Sequence, residues 1–109
     1  MTKRNSIFET EDAEALMEAV GVLKMLGNPN RLAILCHLGG EELSVNEIAD
    51  LVGMSQSALS QHLSKMKKMG ILDQRRDHNK IYYSLSSKEV EEIIALLRKL
   101  YCKNIQKPC

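Results

Sequence analysis

The sequence predicts a mainly α-helical domain carrying one small β-hairpin, and three observations support this. Apolar residues recur at helical spacing in several segments bounded by helix start and stop signals. Aromatic content is 4%, with no Trp, so the core must be largely aliphatic. Only the stretch from about residue 71 to 85 reads as strand. A chain of 109 residues with 44% hydrophobic content can bury one core but has no room for a second domain with its own active site. The expected organisation is an N-terminal tail at 1–12, a folded domain at 13–106 and a C-terminal tail at 107–109.

The first helix is expected from Ala13 to Leu26, where Ala13, Leu16, Met17, Val20, Leu23 and Leu26 form a stripe. Ala19, Val22 and Met25 widen that stripe beyond what one buried face needs. Asn28 and Pro29 read as an N-cap and a first-turn proline, opening a second helix that Gly39-Gly40 closes. Ser44-Val45-Asn46-Glu47 has the form of a capping box, starting a short third helix that stops at Gly53. After a Gly53-Met54-Ser55 turn, Ser55 caps a fourth helix running to about Met69 and ending at Gly70. Ile71-Leu72 and Ile81 to Leu85 read as two strands joined by Asp77-His78-Asn79. A second capping box, Ser86-Ser87-Lys88-Glu89, precedes a last helix bearing Val90, Ile93, Ile94, Leu97, Leu100 and Tyr101.

Two short helices joined by a tight Gly-containing turn form a helix-turn-helix pattern, and the hairpin after it supplies a wing. Charge is distributed to match. Residues 1–50 carry 4 basic and 9 acidic side chains, whereas residues 51–80 carry 6 basic and 2 acidic, with no acid between Leu51 and Leu72. A surface for a polyanion needs such an acid-free, cationic stretch. On the fourth helix Leu59, Leu63 and Met66 face inward. The rest is short and polar: Ser55, Gln56, Ser57, Ser60, Gln61, His62 and Lys65 are the expected DNA-contacting residues. Gln can pair with adenine through two hydrogen bonds, and small side chains let a helix sit deep in the major groove. Arg75, Arg76, His78 and Lys80 are expected at the wing tip, against phosphates or the minor groove.

Other classes fare poorly. No segment approaches the roughly 18 apolar residues of a membrane span, and no phosphate-cradling Gly-rich loop or acid–base constellation is present. The expectation is a cytoplasmic protein that is not an enzyme and carries no cofactor. A lone His such as His37 or His62 is ordinarily a packing or hydrogen-bonding residue. Three cysteines in a reducing compartment are read as free thiols, metal ligands or redox groups. The over-apolar first helix and the uncovered last helix imply a symmetric homodimer, with Leu16, Val20, Leu23, Ile94, Leu97 and Tyr101 as expected interface residues. Two recognition helices about one DNA turn apart would suit a palindromic operator in double-stranded DNA. The rival to DNA binding is a winged-helix protein-interaction module, whose binding would barely depend on salt.

The runs Gly27-Asn28-Pro29-Asn30-Arg31-Leu32-Ala33-Ile34-Leu35, Leu43 to Ala49 and Ser55 to Leu63 resemble the ArsR/SmtB family of bacterial repressors, over about Ala13 to Cys102. The resemblance implies a helical dimer with a winged helix-turn-helix in each subunit, released from its operator by an inducer or by oxidation. Many relatives sense metal through Cys-Val-Cys where this chain has Ser44-Val45-Asn46. Others use Asp and His on the last helix, where Ser87, Lys88 and Glu89 stand and no His follows His78. Neither usual metal site can form with these donors. Cys36 and Cys102 instead fall where the branch containing HlyU, BigR and SqrR carries a dithiol switch. The resemblance implies that they are a redox pair answering persulfide or related reactive sulfur species. Cys109 lies outside that pattern and is read as a bystander. A thiophilic ion held by Cys36, Cys102 and a third ligand, and an antirepressor or activator role without an inducer, stay open as alternatives.

Overall fold

The computed structural model describes residues 12–102, so the expected tails fall outside it except for Asp12. The elements run α1 (Ala13–Leu26), α2 (Pro29–Leu38), β1 (Leu43–Ser44), α3 (Val45–Val52), α4 (Gln56–Lys68), β2 (Leu72–Asp77), β3 (Lys80–Leu85) and α5 (Lys88–Tyr101). Helices α2 to α5 enclose an aliphatic core in which Ile34, Leu35, Leu38, Ile48, Leu59, Met66 and Val90 have no exposure. Each such side chain contributes about 1.5–3 kcal/mol through burial, so this cluster fixes the relative placement of α3 and α4.

Local signals set the helix limits. The Asn28 side chain accepts from the N–H groups of Asn30 and Arg31 at 3.0 and 3.2 Å, starting α2 at Pro29. Ser44 and Glu47 complete both halves of the capping box, with Glu47 N–H donating to Ser44 Oγ at 3.1 Å and Ser44 N–H to Glu47 Oε1 at 2.8 Å. Gly53 closes α3 at φ +70°, in the left-handed region, donating its N–H to the Ala49 carbonyl at 2.9 Å. No atom lies within 4 Å of a Cβ built there, so the glycine serves the backbone turn rather than close packing.

The sheet is larger than the expected hairpin. Its order is β1-β3-β2, all antiparallel, with Leu43 opposite Tyr83 and Leu72 opposite Leu85. β1 has two residues, too few for any periodicity, and Ser44 serves it while also capping α3. β2 begins at Leu72 rather than Ile71 and extends to Asp77, through charged residues that carry no strand pattern of their own. Pairing with β3 imposes the conformation. The turn is thereby cut to His78 and Asn79, and His78 takes φ +60°. At α5 the N-cap is Ser87, whose Oγ accepts from Val90 N–H at 3.2 Å, and no reciprocal box forms. Ser86 instead donates from Oγ to the Gly70 carbonyl at 3.0 Å, fastening the end of β3 to the α4–β2 corner.

α1 behaves differently from the other helices. Only Met25 and Leu26, at its end, are buried in the subunit; Met17 and Leu23 are more than half exposed, and Leu16 and Val20 are half-buried. On α5, Val90 and Ile94 face the core while Leu96, Leu100 and Tyr101 face outward. Ile94, expected at a dimer interface, is 1% exposed within a single subunit. It lies one turn after Val90 on the inward face, so it is consumed by the subunit's own core.

Candidate nucleic-acid interface

α4 is held from within and open without. Ser55 Oγ accepts from Ala58 N–H at 3.2 Å, while Leu59, Leu63 and Met66 lock the inner face. This leaves Gln56, Ser57, Ser60, Gln61 and Lys65 exposed along the outer face and His62 half-buried at its margin. Ser60, Gln61, Ser64, Lys65 and Lys68 line a shallow hollow of about 420 Å³. A second cleft, of about 340 Å³, lies between the starts of α3 and α4 and the wing tip, lined by Ser44, Val45, Asn46, Gln56, Ser60, Asn79, Lys80 and Ile81. The helix and the wing therefore bound one continuous polar surface.

Within it, the Gln56 side-chain amide donates from Nε2 to Asn46 Oδ1. Asn46, Asn79 and Ile81 were not among the expected site residues. Asn46 is absorbed by the capping pattern and Ile81 by the strand pattern, so neither carries a separate signal.

The wing cations are not one cluster. Paired residues share a sheet face, so Arg76 and Ile81 lie on the side of buried Leu72 and Tyr83, whereas Arg75 and Tyr82 lie on the other. There Arg75 grips Glu42 from Nε and Nη2 at 2.9 and 2.7 Å, and its guanidinium stands 4.7 Å from the Tyr82 ring centre. The hydrogen bond from Arg75 holds the Glu42 carboxyl below the usual carboxylate range and raises the Arg75 guanidinium further. Arg75 thus departs from the expected tip position, because register puts it on the outer face beside an acid. Arg76, His78 and Lys80 remain exposed at the tip, with His78 Nδ1 2.8 Å from Asp77 Oδ1.

Outside this surface, Cys36 is a free thiol, 4% exposed. Burial pushes its pKa up, and the positive charge of Arg98 on α5 acts in the opposite direction. The same guanidinium helps hold the half-buried His37 below the ordinary imidazole value, after burial itself, and reaches within 3.2 Å of where a Cβ on Gly39 would stand. Cys102 is one turn beyond Arg98, donating its N–H to the Arg98 carbonyl at 2.9 Å. It is disulfide-bonded, though not to Cys36. Cys109 lies outside the described residues. Among the described residues no group of three or more His, Cys, Asp and Glu side chains is placed to hold a metal ion, and no helix is long and apolar enough to cross a membrane.

A helix-turn-helix with an exposed, acid-free second helix and an adjoining cationic wing defines a DNA-binding regulator rather than an enzyme. Residues 28–74 match the model of the bacterial regulatory protein arsR family. The transcriptional activator HlyU of Vibrio cholerae is 45% identical over 86 residues, covering 79% of this chain and 80% of HlyU. Its reduced structure superposes with a TM-score of 0.82 at 43% identity, over 85% of this chain and 98% of that one. The nodulation protein NolR of Rhizobium meliloti is 48% identical over 84% of this chain and 72% of its own. A homodimeric winged helix-turn-helix DNA-binding domain from Mycobacterium bovis aligns with a TM-score of 0.73 at 29% identity, over 92% of this chain and 89% of its own. The chain belongs to the ArsR family of DNA-binding transcriptional regulators.

Proposed function

We propose that this regulator acts as a homodimer on a palindromic operator and that its grip on DNA is set by the thiol state of Cys36 and Cys102. The observation that carries the proposal is the position of Arg98. Its side chain lies against Gly39 at the end of α2, where its charge acts on Cys36 and His37, and Cys102 follows one turn later on the same helix. Cys36 on α2 therefore faces the helix that ends at Cys102. A direct disulfide needs Cα atoms within about 7 Å, and inserted sulfur atoms relax that limit. From a reduced start, an organic persulfide passes one sulfur to each thiol and leaves as a thiol. The two protein persulfides then condense to a trisulfide, releasing hydrogen sulfide. Such a bridge would tie α2 to α5, the helix whose outer apolar residues Leu96, Leu100 and Tyr101 are available to a second subunit. A small change in that pairing would displace two half-site contacts together.

Base reading falls to Gln56, Ser57, Ser60, Gln61 and Lys65, with Arg76 and Lys80 on phosphates. The test is to treat reduced protein and its Cys36→Ser, Cys102→Ser and Cys109→Ser variants with an organic persulfide, reading intact mass and operator affinity. The switch requires loss of response in the first two variants and retention in the third. Full DNA release by treated Cys36→Ser or Cys102→Ser, or a bridge mapped to Cys109, would sink it.

A further inference from the structure

The amide of Gln56 is not alone at the head of α4. We propose that Asn46, on α3, is a specificity-determining residue of the DNA interface, acting by fixing which way the Gln56 amide faces. The proposal rests on the reading role of α4 and is independent of the thiol switch. Gln56 is the first residue of α4, and Asn46 the second of α3, so the two meet where the starts of the two helices face each other. Gln56 Nε2 donates to Asn46 Oδ1, and both side chains line the cleft that Ser60, Asn79 and Lys80 complete. A base edge or a strand of backbone entering between helix and wing passes this pair.

An unrestrained glutamine reads poorly because its terminal amide can turn over, exchanging donor for acceptor at little cost. A base offering N–H and a base offering a lone pair can then both be satisfied. With its amide oriented so that Oδ1 meets Gln56, Asn46 presents an acceptor and selects the rotamer that brings Nε2 toward α3. One N–H of Gln56 is committed to Asn46. The carbonyl oxygen and the second N–H remain, the donor and acceptor pair that adenine engages through N6 and N7. Ordering the side chain before binding also removes part of its entropy cost in the complex. Asn46 is thus a positioning residue: it need not touch a base to change which base is preferred.

The experiment selects bound duplexes from a pool with a randomised central segment, using wild type, Asn46→Ala, Gln56→Ala and the double variant. It then measures affinity for the selected operator and for each single-base change. Asn46 is exposed, so the fold should survive its loss, and a thermal melt checks this. Asn46→Ala should flatten the preference at one base pair per half-site by about tenfold while leaving affinity for unrelated duplex unchanged. In the Gln56→Ala background the same change should do nothing. Asn46→Asp, which keeps the acceptor, should restore the preference at that position even though its charge weakens binding to every sequence. Equal weakening of all duplexes by Asn46→Ala, or an effect that persists without Gln56, overturns the proposal. Failure of wild type to select any sequence overturns it too, together with the base-reading role of α4.

Discussion

Glu42, in the connection between α2 and β1, holds Arg75 of the wing through two hydrogen bonds of 2.7 and 2.9 Å. This ties the wing's outer face to the end of the helix that carries Cys36. The pair is exposed on both sides, so its value lies in geometry and charge rather than stability. A guanidinium matched to a carboxylate is already neutralised and has less to offer a phosphate. Arg76→Ala should therefore reduce the slope of log affinity against log salt by about one, and Arg75→Ala by clearly less. Glu42→Gln should steepen the slope by releasing Arg75. Titrations of the operator at several salt concentrations read all three, and equal slopes for the two arginine variants would remove the distinction.

The same helix-to-sheet corner predicts an acid response. Glu47 accepts from the Ser44 N–H, and chiefly for that reason its carboxyl lies below the usual carboxylate range; Glu42 is lowered by Arg75. A carboxylate whose pKa is depressed on folding stabilises the fold fully above its unfolded pKa. That contribution is lost as pH falls through the lower folded value. Thermal stability should decline on acidification below the ordinary carboxylate range. Glu47→Gln keeps a side-chain acceptor for the capping box but cannot titrate, so its melting temperature should fall less steeply with acid. An unchanged acid slope in Glu47→Gln would show that the cap does not contribute to the titration.

Subunit pairing can be separated from subunit folding, because the apolar residues of α5 divide between two faces. Ile94 is in the core, whereas Leu100 on α5 and Leu23 on α1 are 62% and 61% exposed. Ile94→Asp buries an unpaired charge and should cost several kcal/mol, unfolding the subunit. Leu23→Glu and Leu100→Glu should leave helical content intact but shift sedimentation toward monomer and weaken operator binding. Intact dimers in both glutamate variants would place the interface elsewhere.

The legibility of the fold in the sequence is greatest where a physical signal is local. The limits of α1 and α2, the caps at Asn28, Ser44 and Ser55 and the turn at Gly53 are all written in adjacent residues. It falls short where pairing partners decide. β1 and the charged length of β2 exist because β3 lies between them, and the facing of Arg75 follows from that register. Ile94 could be assigned to core or interface only once the helix phase relative to α2 was known. The Asn46–Gln56 contact spans ten residues and two helices. No periodicity reports it.

Cys36 offers a last and quantitative consequence. Its thiol is almost fully enclosed, and desolvation of the thiolate raises its pKa, while Arg98 pulls the other way without reversing the sign. Since the thiolate is the nucleophile, reduced native protein should be alkylated slowly at Cys36 near neutral pH, and the rate should keep rising beyond the ordinary thiol range. The unfolded thiol ionises first. Stability associated with this group is therefore complete below the unfolded value and lost as pH rises through the folded one. Arg98→Leu removes the opposing charge and should move the midpoint of the alkylation profile to higher pH, whereas Arg98→Lys should largely keep it. The midpoint, not the rate, is the informative quantity, because losing a bulky side chain over α2 can also ease reagent entry. A profile for Arg98→Leu that coincides with wild type would show that Arg98 does not govern this thiol, and would withdraw the contact on which the proposed pairing of Cys36 with Cys102 rests.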